Sequence, residues 1–76
     1  MNDLLKFKLD SYDFSEEIIT GLIMDNNYKS KDNKTLEEIL MYVKDYFNKK
    51  DKLSGYLELE LMKDNFFTIK FVKISL

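Results

Sequence analysis

Apolar and polar residues alternate strictly near the start of the chain, in the segment from Leu5 to Asp10. Alternation with a period of two places the apolar side chains on one face of an extended chain and the polar side chains on the other. The segment therefore predicts a half-buried β-strand.

The spacing then becomes helical, and the apolar positions that form one stripe are Ile18, Ile19, Leu22 and Ile23. Ser15 is a suitable N-cap, and the two carboxylates that follow it favour the positive end of a helix dipole. Phe14, just before this cap, can pack against Ile19 as a hydrophobic staple. We expect a first helix at about residues 16–28.

A second helix has a clearer start, because Thr35 and Glu38 have the spacing of a capping box. Its apolar stripe is regular and consists of Leu36, Ile39, Leu40, Val43 and Phe47. The lysine-rich run 48–52 ends this helix, where the dipole favours cations. The polar segment 28–34 in front of it predicts a loop.

Two further alternating segments, 56–62 and 66–71, predict a β-hairpin. A three-residue loop over residues 63–65 pairs apolar residues on one face: Leu61 with Phe67, Leu59 with Ile69 and Leu57 with Phe71. A two-residue loop would instead place Glu60 opposite Ile69. Such a three-residue loop needs a left-handed residue at its end, a conformation that Asn65 tolerates.

Together these elements predict a single small α+β domain over residues 1–76. Two α-helices pack on one face of a three-stranded, mainly antiparallel sheet, in the chain order β-α-α-β-β. Opposite charges favour the first strand beside the second, since Lys6 and Lys8 would then lie next to Glu58 and Glu60. The alternative is a sheet with the last strand in the middle.

Composition restricts the chemistry of this domain, because seven residue types are absent: His, Cys, Arg, Trp, Pro, Gln and Ala. The usual general base, thiol nucleophile and bidentate phosphate ligand are therefore missing. Glu58 and Glu60 form a carboxylate pair, but a three-stranded sheet provides no cleft for a sugar between them. We expect no enzymatic activity, no cofactor and no metal ion. The same bias matches AT-rich codons, so part of it reflects the genome.

The charge balance argues against nucleic acid and membrane as direct partners. Twelve lysines and fourteen acidic residues give a net charge of −2, whereas nucleic-acid binders usually carry a basic patch and arginines. No apolar run approaches the roughly 20 residues that span a bilayer, and the first residues do not resemble a signal peptide. We expect a cytoplasmic protein.

Two surfaces are the main candidates for binding a partner. One is the acidic group Asp10, Asp13, Glu16 and Glu17, although the start of a helix attracts carboxylates without any partner. The other is the sheet face away from the helices, with Tyr56, Glu58, Glu60, Met62, Phe66, Val72 and Ile74. Its apolar end residues either form an exposed patch or return to the core through a bulge near Lys73.

Three weaker patterns favour ordinary solvated structure. Residues 25–36 have the composition of a calcium loop, but Ser30 and Leu36 stand where glycine and a bidentate glutamate are needed. The lysines at 49, 50 and 52 are interrupted by Asp51 and have no aromatic stacking partner. Met41 and Tyr42 would lie on the exposed side of the second helix, where such residues also occur at interfaces.

The expected function is protein binding without catalysis. A short, acidic, AT-biased chain fits a phage or mobile-element product that inhibits a host protein, for example a nucleic-acid-binding or defence protein whose basic surface its carboxylates occupy. The alternative is a homo-oligomeric structural or adaptor domain, such as a homodimer, that assembles through its exposed sheet face or edge.

Overall fold

The computed structural model describes residues 5–49 and 54–74. The strands are β1 (Leu5–Leu9), β2 (Lys29–Ser30), β3 (Gly55–Leu61) and β4 (Phe66–Lys73), and the helices are α1 (Tyr12–Asn26) and α2 (Leu36–Asn48). Two helices pack on a four-stranded mixed sheet with the order β1-β3-β4-β2. The α+β class is therefore confirmed.

The core lies between the helices and the inner face of the sheet. Its buried side chains are Leu9, Ile19, Ile39, Val43, Tyr46, Leu57, Leu59 and Phe67. The sheet contributes every second residue of β3, as the alternating pattern predicts, and the helices contribute residues of their apolar stripes.

The fourth strand corrects the prediction of a three-stranded, mainly antiparallel sheet. Lys29 and Ser30 pair in parallel with Phe66 and Phe67, within the segment predicted to be a loop. The Lys31 backbone N–H continues the pairing by donating to the Phe67 carbonyl at 2.8 Å. This strand is held by backbone hydrogen bonds and has no apolar residue, so it leaves no alternation in the sequence.

The start of α1 also differs from the prediction. Ser11 is the N-cap and its hydroxyl accepts from the Phe14 backbone N–H at 3.2 Å, so α1 begins four residues early, at Tyr12. Ser15 is inside the helix and fully buried, and its hydroxyl donates to the Ser11 carbonyl at 2.6 Å. Phe14 is therefore not a staple before the cap but a helical residue that is 43% exposed.

The capping box of α2 is confirmed. The Thr35 hydroxyl accepts from the Glu38 backbone N–H at 3.1 Å, and the Glu38 carboxylate accepts from the Thr35 backbone N–H at 3.0 Å. The Thr35 backbone N–H that donates to the Glu38 carboxylate is the main cause that lowers the pKa of Glu38, and the Thr35 side chain adds to it. The helix ends at Asn48; of the predicted lysine run, residues 50–52 lie outside the described residues.

The hairpin is confirmed with its predicted register. Leu61, Leu59 and Leu57 lie opposite Phe67, Ile69 and Phe71. The Met62 N–H donates to the Phe66 carbonyl at 2.7 Å and closes a three-residue loop over 63–65. Asn65 is left-handed as predicted, with φ 59°, and Asp64 before it is left-handed too, with φ 60°.

The favoured strand order is also confirmed, since β1 pairs antiparallel with β3. Lys6 lies opposite Glu60 and Lys8 opposite Glu58. The opposite charges of these residues therefore predict correctly that β1 lies beside β3.

Gly55 begins β3 at a very close approach to β4. A Cβ atom at this position would collide with the Val72 carbonyl oxygen and with the Phe71 ring. The Gly55 carbonyl accepts from the Tyr46 hydroxyl at 3.2 Å, and the Tyr46 ring lies 6.1 Å from the Phe71 ring. Glycine is therefore required here by contact with its neighbours.

Candidate interaction surfaces

The centre of the outer sheet face, the face away from the helices, is an ion-pair cluster. Glu60 Oε2 lies 3.3 Å from Lys70 Nζ and 3.8 Å from Lys6 Nζ. The Glu60 side chain is 8% exposed, whereas the two lysine side chains are about half exposed. Lysines from both neighbouring strands thus enclose a carboxylate of the central strand.

This enclosure changes the role expected for the two glutamates. Glu58 and Glu60 are only 9% and 6% exposed, although none of the described helices lies over this face. Lys6 and Lys70 approach Glu60 from the two neighbouring strands, while their own side chains stay about half exposed. Both residues remain candidates for partner contact, but in this structure a partner would meet the lysines first.

A further lysine reaches this face through the unpredicted strand. Lys29 of β2 pairs with Phe66, which belongs to the outer face. The face therefore combines Lys6, Lys8, Lys29 and Lys70 with the two enclosed glutamates. Lys6 and Lys8 share this face because they are two residues apart on β1, and the strand register adds Lys29 and Lys70 to it.

The apolar residues predicted at the ends of the outer face are only partly covered. Val72 is half-buried opposite Tyr56, and the Tyr56 ring lies 5.3 Å from Lys8 Nζ. Met62 is half-buried as well, whereas Phe66 and Ile74 are 39% and 49% exposed. The pairing of β4 continues without a bulge as far as Lys73. Of the two explanations for this end, the structure therefore shows the partly exposed patch; residue 76 lies outside the described residues.

The opposite side of the molecule is acidic. Helix α1 carries four carboxylates, at positions 13, 16, 17 and 25, and no lysine. Of the predicted acidic group, Asp13 lies in its first turn, whereas Asp10 precedes the N-cap. Glu16 accepts a hydrogen bond from the Tyr12 hydroxyl at 3.0 Å, and this bond raises the pKa of Tyr12. The two faces thus carry charges of opposite sign, which the net charge of −2 conceals.

Exposed apolar residues accompany these carboxylates. Phe14 and Met24 are 43% and 69% exposed. Gly21 lies between them, and an added Cβ atom there would meet only Asp25 Oδ2, at 3.8 Å. Glycine costs roughly 1 kcal/mol in a helix interior relative to alanine, and no contact with the described residues requires it at position 21. Its missing side chain leaves the helix surface flat there.

A small pocket is lined by residues of α2, β4 and the short strand β2. Its volume is about 240 Å³, and its apolar wall includes Ile39, Tyr42, Phe67 and Ile69. Asp32 lies at the rim, where it accepts a hydrogen bond from the Thr68 hydroxyl at 3.2 Å. Tyr42 and its neighbour Met41 are 47% and 70% exposed, as predicted for that side of α2.

Neither a metal centre nor a membrane helix is present within residues 5–49 and 54–74. No group of three or more carboxylates there is arranged to hold a metal ion. No described helix has the length and apolar character needed to cross a bilayer.

No protein-family model, curated protein or solved structure matches this chain.

Sequence reasoning missed one apolar surface, on the inner side of β1. Leu5 and Phe7 face the same way as the buried Leu9, but they are 58% and 44% exposed. The alternation predicts that they lie on the buried face of a half-buried strand, and the structure does place them on the same side as Leu9. Among the described strands β1 lies at the edge of the sheet, and the exposure of Leu5 and Phe7 shows that its inner face is only partly covered. The sequence pattern does not reveal how far a helix extends over a strand.

Proposed function

We propose that this protein is a small, non-enzymatic protein-binding module, and that the exposed face of α1 contacts a basic surface of its partner. The observation that supports this proposal is the charge separation: α1 has four carboxylates and no lysine, with Phe14 and Met24 exposed among them. Apolar anchors supply contact area, while carboxylates at exposed positions steer a basic partner and select it.

Gly21 strengthens the choice of α1 over α2. Its missing side chain allows the backbone of a partner to approach the helix between Phe14 and Met24. On α2, by contrast, Lys44 is interspersed with the acidic residues and reduces the negative potential.

The composition supports a narrower form of the proposal. A short acidic chain with an AT-rich residue bias would suit a phage or mobile-element inhibitor that blocks a host nucleic-acid-binding or defence protein. Such an inhibitor would occupy the basic surface with its carboxylates, in place of a phosphate backbone.

Two matched charge variants test the proposal. Glu17→Gln/Asp25→Asn neutralises two exposed carboxylates on α1, and Glu37→Gln/Asp45→Asn removes the same charge from exposed positions on α2. Basic nucleic-acid-binding proteins of the host are titrated against each variant and the wild type by fluorescence anisotropy. We expect one of them to bind the wild type and the α2 variant, to bind the α1 variant about tenfold more weakly, and to dissociate as salt is raised. Equal weakening by both variants, or binding insensitive to salt, would contradict the assignment to α1.

The alternative is a homo-oligomeric adaptor domain, and the exposed Leu5 and Phe7 on an edge strand favour it. Antiparallel pairing of β1 with β1 of a second copy, centred on Phe7, would however place Lys6 opposite Lys8 on both sides of the centre. Like charges directly opposite are destabilising, and edge lysines are a known means of keeping identical sheets apart. Sedimentation over a concentration series separates the two functions, since the proposed module stays monomeric without its partner.

A further inference from the structure

The outer edge of β1 has the properties of an unfilled strand position. In the described part of the chain no strand pairs with β1 on the side away from β3. Backbone donors and acceptors along an edge strand can accept a strand from another chain, which gives affinity through main-chain hydrogen bonds. This edge is separate from the α1 face discussed above.

The exposed side chains of β1 define what such a strand would bury on the inner face. Leu5 and Phe7 are 58% and 44% exposed on that face. Apolar side chains from a strand added at the edge would lie beside them and shield them from water. The incoming strand must therefore carry apolar residues at every second position.

On the outer face, the charges beside β1 indicate which residues the added strand should carry at its other positions. The row Lys8, Glu58 and Lys70 crosses three strands with alternating sign, and Lys6 lies beside Glu60 in the neighbouring row. Both rows end at the β1 edge on a half-exposed or exposed lysine. A carboxylate on the next strand would continue the alternation, and a lysine there would oppose it.

Strand β3, which pairs with the opposite edge of β1, already has the alternation of apolar and acidic residues expected of the added strand. Strand β3 has the sequence Leu57-Glu58-Leu59-Glu60-Leu61, with its leucines opposite the apolar residues of β1 and its glutamates opposite the lysines. The side chains of β1 project above and below the sheet. A strand that pairs with the open edge of β1 would therefore lie beside the same apolar and lysine side chains that β3 meets.

From these observations we propose that the outer edge of β1 binds an extended protein segment in which apolar and acidic residues alternate. The segment adds antiparallel to β1, with its apolar side chains against Leu5 and Phe7 and its carboxylates opposite Lys6 and Lys8. A second copy of β1 is a poor occupant, because it would bring lysines against lysines.

Two synthetic peptides test the proposal with the full-length protein. One has the sequence Ser-Leu-Glu-Leu-Glu-Leu-Ser, and the other has both glutamates replaced by lysine. In NMR titrations, we expect the acidic peptide to shift the backbone amides of residues 5–9 and to bind at least tenfold more tightly than the lysine peptide. This preference should shrink as salt is raised.

A protein variant tests the apolar half of the site. Leu5→Thr/Phe7→Thr keeps residues that favour a strand and removes the exposed apolar groups. We expect it to weaken binding of the acidic peptide about tenfold, whereas Met41→Thr on α2, which also removes a largely exposed apolar side chain, leaves binding unchanged. The comparison of the two peptides needs only the wild-type protein, so it stands even where the double variant does not fold.

Four outcomes would overturn the proposal. The peptides bind equally well, or neither binds at millimolar concentration. The amide shifts map to β4 or to α1 and leave residues 5–9 unchanged. The protein alone forms a dimer whose affected amides are those of β1, which would assign the edge to a second copy.

Discussion

The two faces of β3 are both buried, but by different means. On the inner face, Leu57 and Leu59 have 0% exposure because helices cover them. On the outer face, Glu58 and Glu60 reach 9% and 6% although no described helix lies there. Lys6 and Lys70 of the neighbouring strands form ion pairs with Glu60 at this place. A solvent-facing glutamate in an alternating pattern is then not automatically available to a partner.

The largest expected effect lies on the inner face. Leu59→Ala should lower the free energy of unfolding by about 3 kcal/mol, because it leaves a cavity in a fully packed core. Leu5→Ala is the matched control, since Leu5 faces the same side but is 58% exposed, and its loss should stay below about 1 kcal/mol. Urea denaturation of both variants checks this difference, and equal losses would mean that the two leucines are equally packed.

The outer face should respond to loss of its lysines by a smaller amount. Lys6→Met/Lys70→Met keeps most of the length of the two side chains but leaves Glu60, whose side chain is 8% exposed, without the two ammonium groups beside its carboxylate. Because both lysines are half exposed, solvent screens these pairs, and we expect a loss of about 1 to 2 kcal/mol.

The control for this variant is Lys29→Met, on the same face but in the short strand β2. Its thermal denaturation should match that of the wild type within about 0.5 kcal/mol. If the double variant were as stable as the wild type, the enclosure of Glu60 would contribute packing alone.

The helix layer that covers the inner face depends on its caps. Thr35→Ala removes the hydroxyl that accepts the Glu38 N–H at 3.1 Å, and it should cost about 1 kcal/mol. Ser11→Ala is the corresponding change in α1, where the hydroxyl accepts at 3.2 Å, and it should cost a similar amount. Thermal denaturation measures both. A negligible loss for Ser11→Ala together with a clear loss for Ser15→Ala would restore Ser15 as the cap.

The smallest effect concerns pH. Glu38 has a pKa below its ordinary value of 4.5, mainly because its carboxylate accepts the Thr35 backbone N–H. Its contribution to stability is therefore fully present above about pH 4.5 and is lost as the pH falls through the lower, folded-state pKa. Glu38→Gln should remove this part of the acid dependence in melting curves recorded from pH 6 to pH 3. An unchanged pH profile would show that the capping carboxylate does not contribute to it.

The parts of the fold that could be predicted are those in which two constraints agree. The hairpin register followed because only one loop length keeps Leu59 and Ile69 together and also sets Glu58 against Lys70. The start of α2 followed from a capping box and a regular stripe. Strand β2 could not be predicted, because two residues paired through their backbones carry no periodic signal.

The start of α1 shows a different limit. Ser11 and Ser15 are both good N-caps by residue type, and Glu16 and Glu17 favour the second. In the structure Ser11 is the N-cap, and Ser15 lies inside the helix at a fully buried position, where its small side chain fits. Tertiary packing therefore overrides the local signal.

Of the candidate surfaces, the sequence predicted where the residues lie but not how accessible they are. The outer face was correctly composed from the register, yet the enclosure of Glu60 depends on side chains from three strands meeting at one point. The excess of lysines on that face depends on β2, which contributes Lys29. The exposure of Phe7 depends on how far α1 extends over β1.

Gly55 protects the hairpin against the one pairing error that its hydrophobic pattern would tolerate. A shift by a single residue would turn every leucine of β3 to the wrong face, but a shift by two residues would preserve the alternation. Such a shift would bring a residue with a Cβ atom into the place where the Val72 carbonyl and the Phe71 ring leave no room. The absence of a side chain at Gly55 thereby restricts β3 and β4 to one of the alignments that the hydrophobic pattern allows. This alignment also fixes which charged residues lie opposite each other across the sheet.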